Sequence, residues 1–121
     1  MKISELIDLT RGNLLTKASK LDPDGEIFGG CSADLMSDVL AYIQPNAVLL
    51  TGLVNPQVIR TAQMADVAAI VFVRGKIPPE ETLLLAEEVG MPIISSPLGM
   101  YELSGRLYQN GLPNLENAIQ D

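Results

Sequence analysis

The sequence predicts a single α/β domain with a mainly parallel sheet flanked by helices, on three observations. Three apolar runs have strand length: AVLLTG at 47–52, AAIVFVRG at 68–75 and MPIISS at 91–96. Each leads into a stretch of helical periodicity, and the runs begin about 22 residues apart, the natural length of one βα unit. They are apolar almost throughout rather than alternating, as strands covered on both faces are. Strands joined through helices in this way pair in parallel by right-handed crossovers.

The first 30 residues are the least regular, with a short helix expected at 3–9 and short strands near 13–16 and 26–28. SADLMSDVLAYI at 32–43 reads as an amphipathic helix, with Ser32 at the N-cap and Leu35, Met36, Val39, Leu40 and Ile43 on its apolar stripe. After the first strand run, Asn55 suits an N-cap and Pro56 the first helical position, and Val58, Ile59, Ala62 and Ala65 share one face. After the second, PPEETLLLAEEVG places acidic residues where the helix dipole favours them and Gly90 at the exit. After the third, LGMYELSGRLYQNG ends at Asn110 and Gly111. Its stripe of Met100, Leu103, Leu107 and Tyr108 is expected to be core, with any surplus apolar face available for a dimer contact. The tail after Gly111 is expected to pack loosely. Loops are short and no Ser/Gly-rich linker interrupts the chain, so residues 1–121 are expected to form one domain.

The totals exclude several classes of function. A chain of 121 residues, 47 % hydrophobic, can bury one core without metals or disulfides. With two Phe, three Tyr and no Trp, that core must be aliphatic. A net charge of −7 argues against nucleic acid as a partner, since phosphates are neutralised by clustered Lys and Arg. The single Cys31 rules out an internal disulfide, and without histidine the usual zinc, haem and His-base chemistries lose their main group. No cofactor and no metal are expected. The N-terminal MKISELIDLT carries Glu5 and Asp8 where a signal peptide would be apolar. The apolar runs fall short of the ~20 residues of a membrane helix, so cytoplasmic residence without a membrane partner is the expectation.

IVFVRGKIPPEE, residues 70–81, raises the question of a phosphate loop. A Walker-type loop needs G-x-x-x-x-G-K-[ST], so that backbone N–H groups wrap the phosphates and a hydroxyl holds magnesium. Gly75 and Lys76 supply only the last glycine and the lysine; Ile70 stands where the first glycine belongs, and Ile77 where the hydroxyl does. Pro78 and Pro79 remove further N–H donors. The segment is not a Walker loop. Even so, Arg74 and Lys76 stand at the carboxyl end of a strand, where open α/β sheets bind ligands. Thr51, Gly52, Asn55, Gly75, Ser95 and Ser96 belong to the same end. Two readings stay open: a small anion or nucleotide cleft, or tight turns at Gly52 and Gly75 with solvated cations.

GGCSADLMSD at 29–38 gathers a thiol, two hydroxyls and two carboxylates. A cysteine near a helix N-terminus has a lowered pKa, yet a nucleophile needs a base, and only Asp or Lys is at hand. Asp34 and Asp38, spaced i and i+4, would share a helix face as a metal pair does. Two carboxylates need a phosphate to complete a magnesium shell, and a solvated or capping face is the alternative. Ser37 suits a structural hydrogen bond.

GGCSADLMSDVLAY, LLTGLVNPQVIRTAQMADVAAIVFVRGK and ETLLLAEEVGMPIISSPLGMYELSGRLYQNGL together resemble the stand-alone DRTGG-domain proteins of anaerobic bacteria and archaea. The resemblance spans residues 29–112 and rests on the combination of D-L-M-S-D-V, T-G-L-x-N-P-Q and G-R-L-Y. It makes Gly30, Cys31, Asp34, Ser37 and Asp38 a motif helix. Such domains also occur within some phosphotransacetylases and between the CBS domains of some inorganic pyrophosphatases. They resemble the N-terminal, non-kinase domain of HPr kinase, whose fold the resemblance implies here. The letters DRTGG do not occur as a run; T-G stands at Thr51 and Gly52 and R-G at Arg74 and Gly75. The resemblance implies a non-catalytic regulatory or assembly module, homodimeric, linked to a hydrogenase or redox-enzyme component, with a nucleotide or small phosphate-bearing ligand as a further partner. A pure protein interaction module is the alternative. An enzyme would have to rest on Cys31, Asp34 and Asp38.

Overall fold

Four strands, β2 (Gly29–Ser32), β3 (Ala47–Thr51), β4 (Ala69–Phe72) and β5 (Ile93–Ser95), run parallel and lie side by side in chain order. A short β1 (Asn13–Leu14) adds antiparallel to β5 and completes the sheet. The structure is a computed structural model and describes residues 1–17 and 25–118. Its helices are α1 (Ile3–Thr10), α2 (Met36–Tyr42), α3 (Pro56–Met64), α4 (Glu80–Val89) and α5 (Met100–Gln109). No helix among the described residues is long and apolar enough to cross a membrane.

Each step from β2 to β5 moves one strand in the same direction, so right-handed crossovers place α2, α3 and α4 on one face. There Val39, Val58, Ile59, Ala62 and Ala86 pack on Leu49, Ile70 and Ile93. On the other face Leu6 of α1 and Leu103 and Leu107 of α5 pack on Val48, Leu50, Val71 and Ile94. Successive strand residues alternate between these layers, as pleating requires. The expected caps are in place. The Asn55 side chain accepts from the Val58 N–H at 3.3 Å, Pro56 opens α3, and Gly90 closes α4 in the left-handed region at φ 75°.

Several expectations need correction. Ser32 is not a helix cap: it ends β2, its hydroxyl 2.8 Å from that of Ser104, and α2 begins only at Met36 with Leu35 as N-cap. With two turns and only α3 beside it, α2 buries Val39 while Leu35 and Leu40 stay 61 % and 48 % exposed. The strand expected at 26–28 lies three residues later, and the one at 13–16 is confined to Asn13–Leu14.

Of the tail after Gly111, residues 112–118 are described, and they do not pack loosely; 119–121 lie outside the described residues. The Gly30 N–H donates to Pro113 O at 2.9 Å and the Leu115 N–H to Gly30 O at 3.0 Å. The Gln44 N–H then donates to Leu115 O and the Asn117 N–H to Tyr42 O. This strap pairs with the free edge of β2, which would otherwise present bare backbone. It also explains Gly29, where a Cβ would stand 2.6 Å from Leu115 Cβ and 2.7 Å from Pro113 O.

Between the strands and the solvent, α3 and α4 bury two hydroxyls, Thr61 Oγ1 and Thr82 Oγ1, that have no hydrogen-bond partner among the described residues. A buried donor left unpaired loses its hydration without return. Thr82→Val keeps the shape and removes the hydroxyl; it is expected to raise stability by about 1 kcal/mol, read as a higher urea midpoint with an unchanged slope.

Candidate functional site

The four parallel strands end at one edge, and the loops that follow them meet there. Asp34, in the loop after β2, accepts from Thr51 Oγ1 at 3.0 Å and from the Gly52 N–H at 2.8 Å. On the other side Lys76 Nζ donates to Gly52 O at 3.0 Å. The T-G at the end of β3 is therefore clamped by a carboxylate on its N–H and an ammonium on its carbonyl. A Cβ on residue 52 would lie 3.4 Å from Lys76 Nζ and 3.6 Å from both Asp34 oxygens, so the two charged groups close on this residue from both sides at ordinary contact distance.

Residues 73–76 form a tight turn of type I′. Arg74 and Gly75 both have positive φ, 59° and 67°, and the Lys76 N–H closes on Val73 O at 3.2 Å. The Arg74 N–H donates to Leu98 O at 2.8 Å and the Gly75 N–H to Ser96 O at 2.7 Å. All three N–H groups that a phosphate would need already have protein acceptors. This is the physical reason the R-G-K stretch is a turn.

The hydroxyls expected around this edge also face inward. Thr51 and Ser96 are fully buried and Ser95 nearly so. Ser95 Oγ donates to Lys76 O at 3.1 Å; Ser96 Oγ donates to Thr10 O at 2.6 Å and accepts from the Leu98 N–H. Asn55 is spent on its cap. What remains at the surface is Arg74 and Lys76. The Arg74 Nε lies 3.9 Å from where a Cβ of Gly99 would be, beside the first turn of α5, which has no side-chain cap among the described residues. The one ion pair among the described residues joins the Met1 ammonium to Glu26, so neither cation forms an ion pair with a described carboxylate.

The motif helix divides into three environments. Gly30 and Cys31 lie in β2, Asp34 in the loop, and Ser37 and Asp38 exposed in the first turn of α2. Asp34 precedes the helix, so it shares no helix face with Asp38. No group of three carboxylates or thiols suited to a metal occurs among the described residues. Cys31 is buried in the sheet, and its thiol donates to Glu116 at 3.1 Å. Burial first, then that hydrogen bond and the Glu116 charge, push the thiol up to about 12. This is the opposite of the lowering expected at a helix N-terminus.

Sequence reasoning missed Glu116 and the surroundings of the strap. A cavity of about 320 Å³ lies between Ser32, Leu50, Ser104, Leu107 and Leu112. The signal for it was the Gly29-Gly30 pair, which admits a close backbone neighbour.

A family model described as the DRTGG domain matches residues 5–110. The chain belongs to the DRTGG domain family. Among solved structures, this DRTGG chain is similar to the CBS and DRTGG domains of the regulatory region of Clostridium perfringens pyrophosphatase, complexed with the activator diadenosine tetraphosphate. The TM-score is 0.72 at 14 % identity, over 93 % of this chain and 47 % of that one. The chain thus spans about half the length of that structure, and at this identity the likeness is one of fold. None of the curated proteins matches it in sequence.

Two outcomes follow from the geometry of this DRTGG domain. Asp34→Ala leaves the buried Thr51 hydroxyl and the Gly52 N–H without their acceptor and is expected to cost about 1–3 kcal/mol, measured by urea unfolding. Native Cys31 is expected to resist iodoacetamide at pH 8 and to react on unfolding. Because its folded pKa is raised, its stabilising contribution is complete below an unfolded pKa of about 8.5 and is lost as pH rises towards the folded value. The stability difference between the wild type and Cys31→Ala is therefore expected to shrink between about pH 8 and pH 10.

Proposed function

We propose that this chain is a non-catalytic regulatory module that binds a phosphate-bearing ligand at the outer lip of its strand-end edge and acts through self-association. The observation that carries the reading is the pair Arg74 and Lys76: two exposed cations with no ion pair among the described residues, Arg74 beside the start of α5 and Lys76 on Gly52 O, in a protein of net charge −7. Arg74 occupies a left-handed position that favours Gly or Asn, at a cost of roughly 1–2 kcal/mol. Strain of this kind persists where the side chain has a task. The regulatory region similar to this chain is complexed with diadenosine tetraphosphate, a ligand of the same chemical class.

The enzyme reading has the least support, because the Cys31 thiol is buried and its proton held, and Asp34 is committed to Thr51 and Gly52. A non-kinase role also accords with the resemblance to the N-terminal domain of HPr kinase. The resemblance to the stand-alone DRTGG-domain proteins suggests a hydrogenase or redox-enzyme component as the client. A pure interaction module without a ligand is the second reading. It is favoured by the inward-facing hydroxyls of Thr51, Ser95 and Ser96 and by the engaged N–H groups of residues 74–76.

Thermal unfolding against inorganic phosphate, AMP, ATP and diadenosine tetraphosphate separates the two. A ligand at 100 times its Kd stabilises the fold by about 2.7 kcal/mol, a rise of several degrees for a domain of this size. Arg74→Gly is expected to stabilise the free protein by about 1 kcal/mol while abolishing that rise. A rise that survives in both Arg74→Gly and Lys76→Ala refutes the site; a flat response to the whole panel leaves the interaction module.

A further inference from the structure

We propose that a second copy of this chain docks on α5, helix against helix and antiparallel, about a two-fold axis passing beside Gly105. The proposal rests on the self-association in the preceding reading and assigns it a surface. Leu103 and Leu107 bury one side of α5. The opposite side presents Tyr101 at 95 % exposure, Gly105, and Tyr108 at 70 %.

Gly105 is the unexplained residue. Glycine weakens a helix interior, and here no described atom lies within 4 Å of where its Cβ would stand, nor is its φ positive. Nothing among the described residues calls for it. On an outward face it does one useful thing: it lets another helix approach closely, since interaxial distance is set by the side chains at the contact. A shallow groove of about 710 Å³ runs along this face between Leu9, Tyr101, Gly105, Arg106 and Gln109.

The occupant is identified by complementarity. A two-fold contact sets residues on the same flank of the helix, at opposite distances from the axis, against one another. Tyr101 and Tyr108, two turns apart, lie on one flank. Tyr101 then covers Tyr108 of the second copy, and the reverse. On the other flank Glu102 meets Arg106 of the second copy, whose like in this chain is held at the rim by an Nη1 contact to Leu9 O at 3.5 Å. A chain of net charge −7 repels its own copies over most of its surface. This face instead offers one anion and one cation in the order an antiparallel copy needs, with aromatic anchors of the type enriched at interfaces.

The test is sedimentation velocity over a concentration series. The wild type is expected to show a mass rising from one chain to two. Gly105→Gln is expected to weaken association by about tenfold or more, while raising the thermal midpoint at dilutions where the wild type is monomeric. Glu102→Arg and Arg106→Glu are each expected to weaken association, and the double variant to restore it. A dimer unaffected by Gly105→Gln and by both charge variants overturns this surface and leaves self-association standing. A one-chain mass at every concentration overturns both.

Discussion

A parallel sheet whose strands are apolar on both sides must be covered twice, and the rest of this molecule answers that requirement. The chain-order arrangement of β2 to β5 sends every crossover to one face, so α2, α3 and α4 cover that face alone. The other face is left to the two helices outside the crossovers, α1 and α5. Because α5 is both the main cover of that face and the element that starts beside Arg74, packing and the proposed ligand site meet on one helix. The chain also leaves β4 for α4 on one face and the neighbouring β5 for α5 on the other, so two adjacent connections diverge at the strand ends, the place where open sheets usually open a crevice. Here that place is spanned by the turn of residues 73–76 and its hydrogen bonds to Ser96 and Leu98, a lip of turns and clamps.

At that lip, hydrogen-bond accounting decides what is available to a ligand. The N–H groups of residues 74–76, the Thr51, Ser95 and Ser96 hydroxyls and one oxygen of Asp34 are committed to the fold. Lys76 has donors to spare beyond Gly52 O, and Arg74 is exposed with no side-chain hydrogen bond among the described residues. Recognition here would work through side-chain charge, which tolerates a range of phosphate-bearing groups. A backbone nest, by contrast, would demand one geometry.

The part of the fold between residues 47 and 110 was legible because its signals are local. Strand runs at 47–52, 68–75 and 91–96, the Asn55 cap and the Gly90 exit each follow from neighbours in sequence. The segment 29–34 was not legible, because its structure is set by partners far along the chain. Gly29-Gly30-Cys31-Ser32 has little intrinsic strand preference; it is a strand because β3 lies on one side and the strap on the other. Ser32 has the composition of a cap, yet its partner is Ser104, 72 residues away. Asp34 looked like half of a helix pair and instead closes on Thr51. Of the candidate site, the placement of Arg74 and Lys76 at the sheet edge was readable. The inward turn of the hydroxyls was not, since a serine after a strand looks the same whichever way its side chain points.

The strap over Gly30 bears on how the molecule is made. The Cys31 to Glu116 contact spans 85 residues, so the edge of β2 gains its cover only when nearly all of the described chain has been synthesised. Until then β2 presents bare N–H and carbonyl groups next to two glycines, on a half-built sheet whose other strands already attract one another. Long-range closure of this kind slows folding, and open strand edges on partly folded chains are where misassembly begins. An uncovered β2 edge is therefore a greater liability in a partly made chain than in the finished domain, where the strap covers it.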